Sequence, residues 1–483
     1  LVICGRGNNG GDGAAVARQL YLRGASALIL LLGRIDDARG DARTNFEIAR
    51  ALATGPGLRL IEVERAEELL EQASAGAHNL FIDAIFGTGL TRPASGLFEE
   101  AISLLNDRGP TYPVISLDIP SGISSDSAEL IGPAVRAHLT ITFTAPKIGN
   151  ILPPASDYNG RLIVGPIGTP AELLESSGSR LTLVEAGMVS SWLQTSRRTS
   201  YANKGDAGKV LVVAGSRGKT GAACLTGEGA MRAGAGLVTV ATPESSQAVV
   251  ASRLITECMT EPLAETESGS IARQALDRVI ELASERDVVA LGPGLGSADE
   301  STRTFVRALA INRERPMVID ADGLNALSPW AENLRGATEL PLVLTPHPGE
   351  MARMVGKSAD DVVRDRIDVA REFATAHAAI VVLKGSRTLI ASPDGEVFVN
   401  PTGNSGMATG GAGDVLTGVI AALIAQKPDD PLGATVAAVY LHGLAGDIAA
   451  SKIGTRAMIA SDISAHLGDA YIEAGKDQEH LIR

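Results

Sequence analysis

Aromatic side chains make up only 3% of the 483 residues, and cysteine occurs three times. So few aromatics leave the cores to alanine, valine, leucine and isoleucine. Cys4, Cys224 and Cys258 are odd in number and scattered. That excludes a disulfide framework and a cysteine-based metal site, and it points to a reducing, cytoplasmic compartment. Positive charge is also in deficit, with 43 Lys and Arg against 56 Asp and Glu, for a net charge of −13 and no basic cluster. A nucleic-acid-binding face is thereby excluded. No apolar run approaches the roughly 20 residues of a membrane helix, and no secretory leader is expected. The chain opens at Leu1, without methionine and directly on an apolar strand, so an upstream segment is expected.

What is present is an alternation of short apolar runs and helical segments. Strands are expected at 1–4, 27–32, 58–63, 79–84, 114–119, 139–144 and 161–164, with helices between, as at 14–23 and 41–53. This predicts a doubly wound, Rossmann-like parallel sheet. Pro/Gly-rich runs follow, then a polar Ser/Arg/Thr stretch ending at Ser200. They set a domain boundary within 170–200, taken as 1–185 and 186–483. A second α/β series has strands at 209–214, 237–241, 287–291, 317–320, 342–345, 379–383, 388–391 and 397–400. Two Ala-rich helices, 414–425 and 434–449, close it. The halves share a class but no motif, so they are two domains rather than a duplication.

In the first half, "GRGNNGGDG" matches G-x-G-x-x-G at Gly5, Gly7 and Gly10. A redox dinucleotide site also asks for an acid at the end of strand two, where this chain has Gly33-Arg34. A nicotinamide-dependent dehydrogenase is therefore disfavoured. The turn still offers backbone N–H groups at a helix N-terminus, with Asn8, Asn9 and Asp12 as polar side chains. Three more turns follow strands: "DAIFGTGLTRP" with Asp83, "LDIPSG" with Asp118 and "TFTAPKIG" with Lys147. Open α/β sheets bind ligands at such strand ends.

These motifs resemble the NAD(P)H-hydrate epimerase family over about residues 1–165. The resemblance implies that Asn8, Asn9, Gly10, Gly11 and Asp12 bind the hydrated nicotinamide nucleotide. Gly87, Thr88, Gly89, Leu90, Thr91, Arg92, Pro93 and Asp118 would complete that site, and Asn9, Asp83 and Ser121 would hold K⁺, a hard cation suited to oxygen ligands. Asp118 and Lys147 are the expected acid/base pair for inverting C6 of the hydrated ring. The sequence departs from the family at "ISSDSAE" after "DIPSG", and the family's N-terminal helix is expected to fall outside residues 1–483.

In the second half, "NPTGNSGMATGGAGDVLTG" (400–418) sets Gly410, Gly411 and Gly413 before Asp414 and an apolar helix. A glycine turn at a helix N-terminus cradles phosphate, and an Asp there can take a hydroxyl proton. "VIDADGLNAL", "LTPHPGE" and "VLKGSRTLI" each follow a strand. Taken singly, Asp414 and Asp322 could be helix caps and His347 a loop histidine. Together with "GPGLG" and "AMRAGAGLVTVATP", the motifs are similar to the ADP-dependent NAD(P)H-hydrate dehydratase family of the ribokinase-like superfamily, over about 195–475. That implies a ribokinase-like α/β domain. It assigns the substrate to Ala222, Gly294, His347 and Asp414, with Asp414 catalytic. It assigns the nucleotide to Lys384, Gly385, Ser386, Arg387, Thr388, Asn404, Gly410, Gly411 and Gly413. ADP is the expected co-substrate, Mg²⁺ the expected ion, NADHX and NADPHX the substrates, and a homo-oligomer, at least a dimer, the expected assembly. The alternative is a small-molecule kinase acting on a vitamin alcohol, with a non-catalytic N-terminal binding domain.

Overall fold

The structure is a computed structural model that describes residues 1–196, 201 and 203–476. It divides into two compact units, Leu1–Gly178 and Ser179–Arg483.

The first unit is a seven-stranded sheet: β1 (Val2–Cys4), β2 (Ala27–Leu32), β3 (Leu58–Val63), β4 (Phe81–Ala84), β5 (Val114–Leu117), β6 (Leu139–Phe143) and β7 (Arg161–Gly165). The order is β3-β2-β1-β4-β5-β6-β7, and every pairing is parallel. β2 reads ALILLL, without alternation, because a parallel sheet is covered on both faces. Leu28, Leu30 and Leu32 pack in one core with Ile3 and Phe81. Ala27, Ile29 and Leu31 pack in the other with Val2, Cys4 and Ile82. The order reverses between β1 and β4, which opens a crevice at their carboxyl ends.

One boundary differs usefully from expectation. The helix expected at 14–23 begins at Asn8 and runs to Leu22, so the glycine-rich run is helical rather than a loop. Its glycines are there for closeness. A Cβ on Gly10 would stand 1.8 Å from the Gly5 carbonyl oxygen, and one on Gly11 2.6 Å from Ala42 Cα.

The second unit is built on ten strands. They are β8 (Leu181–Leu183), β9 (Lys209–Val213), β10 (Leu237–Pro243), β11 (Met259–Leu263), β12 (Val288–Leu291), β13 (Met317–Ile319), β14 (Leu342–Leu344), β15 (Ile380–Leu383), β16 (Leu389–Ala391) and β17 (Val397–Val399). The order is β11-β10-β9-β12-β13-β14-β15-β16-β17-β8, parallel except for β16, which is antiparallel to both neighbours. β8 and β11 were not expected. β8 pairs with β17, so residues 181–183 belong to the second unit and the division falls before residue 185. The end of the expected linker, 197–200, lies outside the described residues.

The second core is valine, alanine, leucine and isoleucine with Tyr440, as the scarcity of aromatics required. Its centre is the helix Ala412–Gln426 packed on the helix Thr220–Arg232. The backbones touch: a Cβ on Gly418 would stand 2.1 Å from the Thr226 carbonyl oxygen, and one on Gly229 2.6 Å from that of Val415. The helix Pro431–Ile453 corrects another expectation. Its 23 residues, with a mean hydropathy of 1.3 in the most apolar window, are long and apolar enough to cross a membrane. Here 72% of that window is buried inside the structure, as in a core helix.

Candidate active sites

In the first unit, a cleft of about 490 Å³ lies at the β1/β4 switch point. Of the expected residues, Asn8, Asn9, Asp12, Gly87, Thr88, Gly89, Leu90 and Asp118 line it. Gly7 of the G-x-G-x-x-G match lines it too, as do Arg6, Ile85, Phe86 and Phe98, which were not singled out from sequence. Arg6 lies inside the quoted glycine motif, and its spacing alone gives no reason to choose it. Gly10 and Gly11 are buried in helix packing, and Thr91, Arg92 and Pro93 are exposed and off the lining.

Asp118 follows β5 in the left-handed region, φ 65°, which turns its carboxylate back toward the sheet end. Its Oδ1 accepts from the Phe143 N–H at 3.2 Å, the Thr142 hydroxyl at 3.3 Å and the Lys147 ammonium. Lys147 also donates to Thr142 Oγ1 at 2.9 Å and the Phe143 carbonyl at 3.0 Å. Three acceptors thus take its three protons. Across the same cleft, burial and the charge of Asp118 push the Asp12 carboxyl up.

Asp83 lies beneath the cleft, 0% exposed. It accepts from Ser116 Oγ at 2.8 Å, Ser121 Oγ at 2.6 Å, Ser121 N at 2.9 Å and Ile85 N at 3.2 Å. Burial pushes its carboxyl up despite these donors. Asn9 donates to the Phe86 carbonyl at 2.8 Å, but its buried Oδ1 has no partner. Ser121 Oγ accepts from Phe86 N at 2.9 Å, so Asn9 and Ser121 meet at Phe86, and Asp83 joins them through Ser121.

The second unit carries two clefts that share a wall. Gly410, Gly411, Asp414, Ala222 and Gly294 line one of about 470 Å³, with Lys219, Asp322 and Glu350. Lys384, Gly385, Ser386, Arg387, Thr388, Asn404 and Gly413 line the other, of about 440 Å³. The residues expected for substrate and nucleotide therefore separate, except that Gly410 and Gly411 face the Asp414 side. His347 lines neither cleft. Its Nδ1 accepts from Gly349 N at 3.0 Å and Glu350 N at 3.3 Å, capping the helix Pro348–Val355. Glu350, its capping partner, does line the cleft, and was not singled out from sequence.

Gly411 takes φ 94° at the N-terminus of the helix Ala412–Gln426, a conformation suited to glycine. The first-turn N–H groups of that helix have no intrahelical acceptor. Beneath the turn, Lys384 Nζ lies 2.6 Å from Asp320 Oδ1 and 3.8 Å from Glu350. Thr417 Oγ1 donates to Asp320 Oδ2 at 2.9 Å. Burial alone would depress the Lys384 ammonium, but Asp320 and Glu350 outweigh it and hold it above its ordinary value. Asp414 is pushed up to about 7, by burial first and then by the charge of Asp320, against the pull of Lys384. Asp320 was overlooked in the sequence, although it follows β13 as Asp118 follows β5. Ala321, at φ 52°, sends the next acid elsewhere: Asp322 accepts from Gly296 N at 2.9 Å, Lys219 at 3.0 Å and Ser297 at 3.1 Å.

Comparison with known proteins accounts for both halves. Residues 1–149 match the family described as YjeF-related protein N-terminus, and residues 210–468 match the family described as NAD(P)H-hydrate dehydratase. The bifunctional NAD(P)H-hydrate repair enzyme Nnr of Moorella thermoacetica is 45% identical over 96% of this chain and 85% of its own length. A ribokinase-like superfamily protein of Enterococcus faecalis is 25% identical, with a TM-score of 0.51, over 62% of this chain and 98% of its own. The ADP/ATP-dependent NAD(P)H-hydrate dehydratase of Bacillus subtilis, co-crystallised with ATP and Mg²⁺, is 31% identical over 58% of this chain and 94% of its own, with a TM-score of 0.49. The chain belongs to the family of bifunctional NAD(P)H-hydrate repair enzymes, an epimerase domain followed by a ribokinase-like NAD(P)H-hydrate dehydratase domain.

Proposed function

We propose that the Asp414 turn carries the dehydratase chemistry, with the hydrated nucleotide on one side and ADP on the other. The observation that carries this is the shared wall: Gly411 and Asp414 line one cleft while Ala412 and Gly413 line the next. A carboxylate at about 7 is matched to accepting a proton near neutral pH. Asp414 takes the proton of the C6 hydroxyl as that oxygen attacks the terminal phosphorus of ADP. The bond to AMP breaks, and the turn's N–H groups and Lys384 stabilise the transferring charge. The ring nitrogen lone pair then expels phosphate from C6, and loss of a C5 proton restores NAD(P)H. Among the described residues no group of three or more His, Cys, Asp or Glu forms a metal cage. Mg²⁺ would be held chiefly by the nucleotide phosphates, with Asp322, Glu350 and Asp414 the carboxylates that line the cleft, and would neutralise phosphate charge.

In the first unit, Asp118 and Asp12 are the proton carriers, and Lys147, with its three donors engaged, positions Asp118. Asp12 protonates the C6 hydroxyl, the ring nitrogen expels water, and water returns to the opposite face as Asp118 takes its proton. Both epimers thereby reach a dehydratase that accepts the S form. K⁺ suits Asn9, Asp83 and Ser121, since a buried carboxylate and the unpartnered Asn9 Oδ1 together call for a cation. It would supply a fixed positive charge beneath the cleft. The free cysteines suit a reducing cytoplasm, and a homo-oligomer, at least a dimer, is the proposed assembly.

The test follows absorbance at 340 nm with mixed R and S NADHX, ADP and Mg²⁺. Full recovery of NADH supports both domains. Recovery of the S share alone sinks the epimerase reading. A stable phosphorylated product without NADH would favour the small-molecule kinase.

A further inference from the structure

The turn at 384–388 is braced from behind by a residue that no motif includes. Arg366 opens the helix Arg366–His377 and is 7% exposed. Its Nη1 donates to the Ser386 carbonyl at 2.8 Å and its Nη2 to the Arg387 carbonyl at 3.1 Å. Its Nε is buried without an acceptor. Burial pushes its pKa down, and among the described residues no carboxylate forms an ion pair with it. An uncompensated buried cation is costly, and two carbonyl bonds offset only part of that cost.

The turn needs such a brace. Gly385 takes φ 151° and Arg387 takes φ 56°, the second in a region that non-glycine residues seldom occupy. A Cβ on Gly385 would stand 3.1 Å from Arg366 Nη2, so the guanidinium lies directly against the turn. Residues 384 to 388 line the cleft, and Arg366 does not. Arg366 therefore acts through the turn, not by touching the ligand.

We propose that Arg366 is a positioning residue for the nucleotide: it locks the 384–388 turn in its binding shape and sets an unpaired positive charge behind the site of an anionic ligand. This rests on the reading of that cleft as the ADP site. A bound nucleotide supplies the negative charge that the protein withholds from Arg366. The planar guanidinium fork holds both carbonyls through two donors fixed in one rigid geometry, which an ammonium on a flexible stem does not impose.

The test uses Arg366→Gln and Arg366→Lys in the full chain, with kcat and both KM values read from NADH recovery. Arg366→Gln is expected to raise KM for ADP about tenfold or more, since two charge-assisted bonds are lost. Arg366→Lys is expected to fall between it and the unaltered protein. For both, the KM for the hydrate stays within about twofold, and kcat falls by less than the KM for ADP rises. If Arg366→Gln does not fold, Arg366→Lys and direct titration with ADP carry the test. Equal losses in kcat and both KM values would overturn the proposal in favour of a merely structural role. Ala408→Trp, which fills the cleft, separates the two readings. Unchanged KM for ADP in Ala408→Trp would sink the cleft assignment itself. A raised KM there beside an unchanged one in Arg366→Gln would sink only the role of Arg366.

Discussion

Lys384 Nζ lies 2.6 Å from Asp320 Oδ1, directly beneath the glycine turn that presents Asp414. A Cβ on Gly413 would stand 3.3 Å from that ammonium and 3.4 Å from Asp320 Oδ2. The pair therefore sets the field at the turn: Asp320 raises the Asp414 pKa and Lys384 opposes it. The strand ends supply the pair, and the turn supplies the proposed base.

Asp414→Asn removes the proposed base. Dehydration is expected to fall by about 10²–10⁴-fold, the usual worth of a positioned base. Epimer exchange, followed by chromatography without nucleotide, stays intact. In the unaltered protein, kcat/KM for dehydration rises with pH through about 7 as Asp414 ionises, and then levels. A flat profile between pH 5 and 8 would remove Asp414 from that role.

The same shift predicts a stability effect. A carboxyl whose folded pKa is raised costs nothing below its unfolded pKa, near 4. The cost grows as pH climbs toward the folded value, about 7, and is complete above it. Asp414→Asn should raise the unfolding midpoint of the second unit at pH 8 and leave it nearly unchanged at pH 4. Calorimetry at the two pH values checks the sign.

Lys147→Met leaves Asp118 without its cation in a place where the two side chains are 15% and 19% exposed. Stripping one partner from a largely buried pair costs about 3–5 kcal/mol. The first unit should lose stability by that order and epimerise slowly, while Asp118→Asn stops epimerisation with a smaller stability loss. Dehydration of S-NADHX serves as the internal control.

Epimerisation should depend on K⁺ and fall when Li⁺ replaces it. Asn9→Leu, which removes the unpartnered oxygen, should abolish that dependence and lower the rate. Equal rates of the unaltered protein in both salts would dismiss the cation site.

Gly10→Ala tests packing against binding. Its Cβ would meet the Gly5 carbonyl oxygen at 1.8 Å, a clash the helix cannot relieve without moving. The expected result is a loss of about 1–3 kcal/mol or more in the first unit, read as a lower unfolding midpoint. An unchanged midpoint with raised KM would mean that Gly10 touches the substrate instead.

Much of this was legible in the residue order. β2 and β3 matched their expected bounds, because an apolar run between turn residues is a local signal. The turns after β1, β4 and β5 were found because open sheets bind ligands at strand ends. β8 was missed because Leu181–Leu183 is short and finds its partner only in β17, more than two hundred residues on. His347 shows the converse. Its motif could be read, but its side chain spends Nδ1 on the first turn of its own helix.

The sequence by itself determined the fold class, the two-domain order, the strand-end turns and the family, since these rest on local periodicity and contiguous motifs. Only the tertiary structure decided that Gly10 and Gly11 serve packing, that the Asp414 turn divides two clefts, that Asp320 and Lys384 set its electrostatics, and that Arg366 braces the 384–388 turn. Each depends on atoms brought within a few ångströms from strands and helices far apart in the chain. Desolvation and charge act through that distance in space, and the order of residues does not encode it locally.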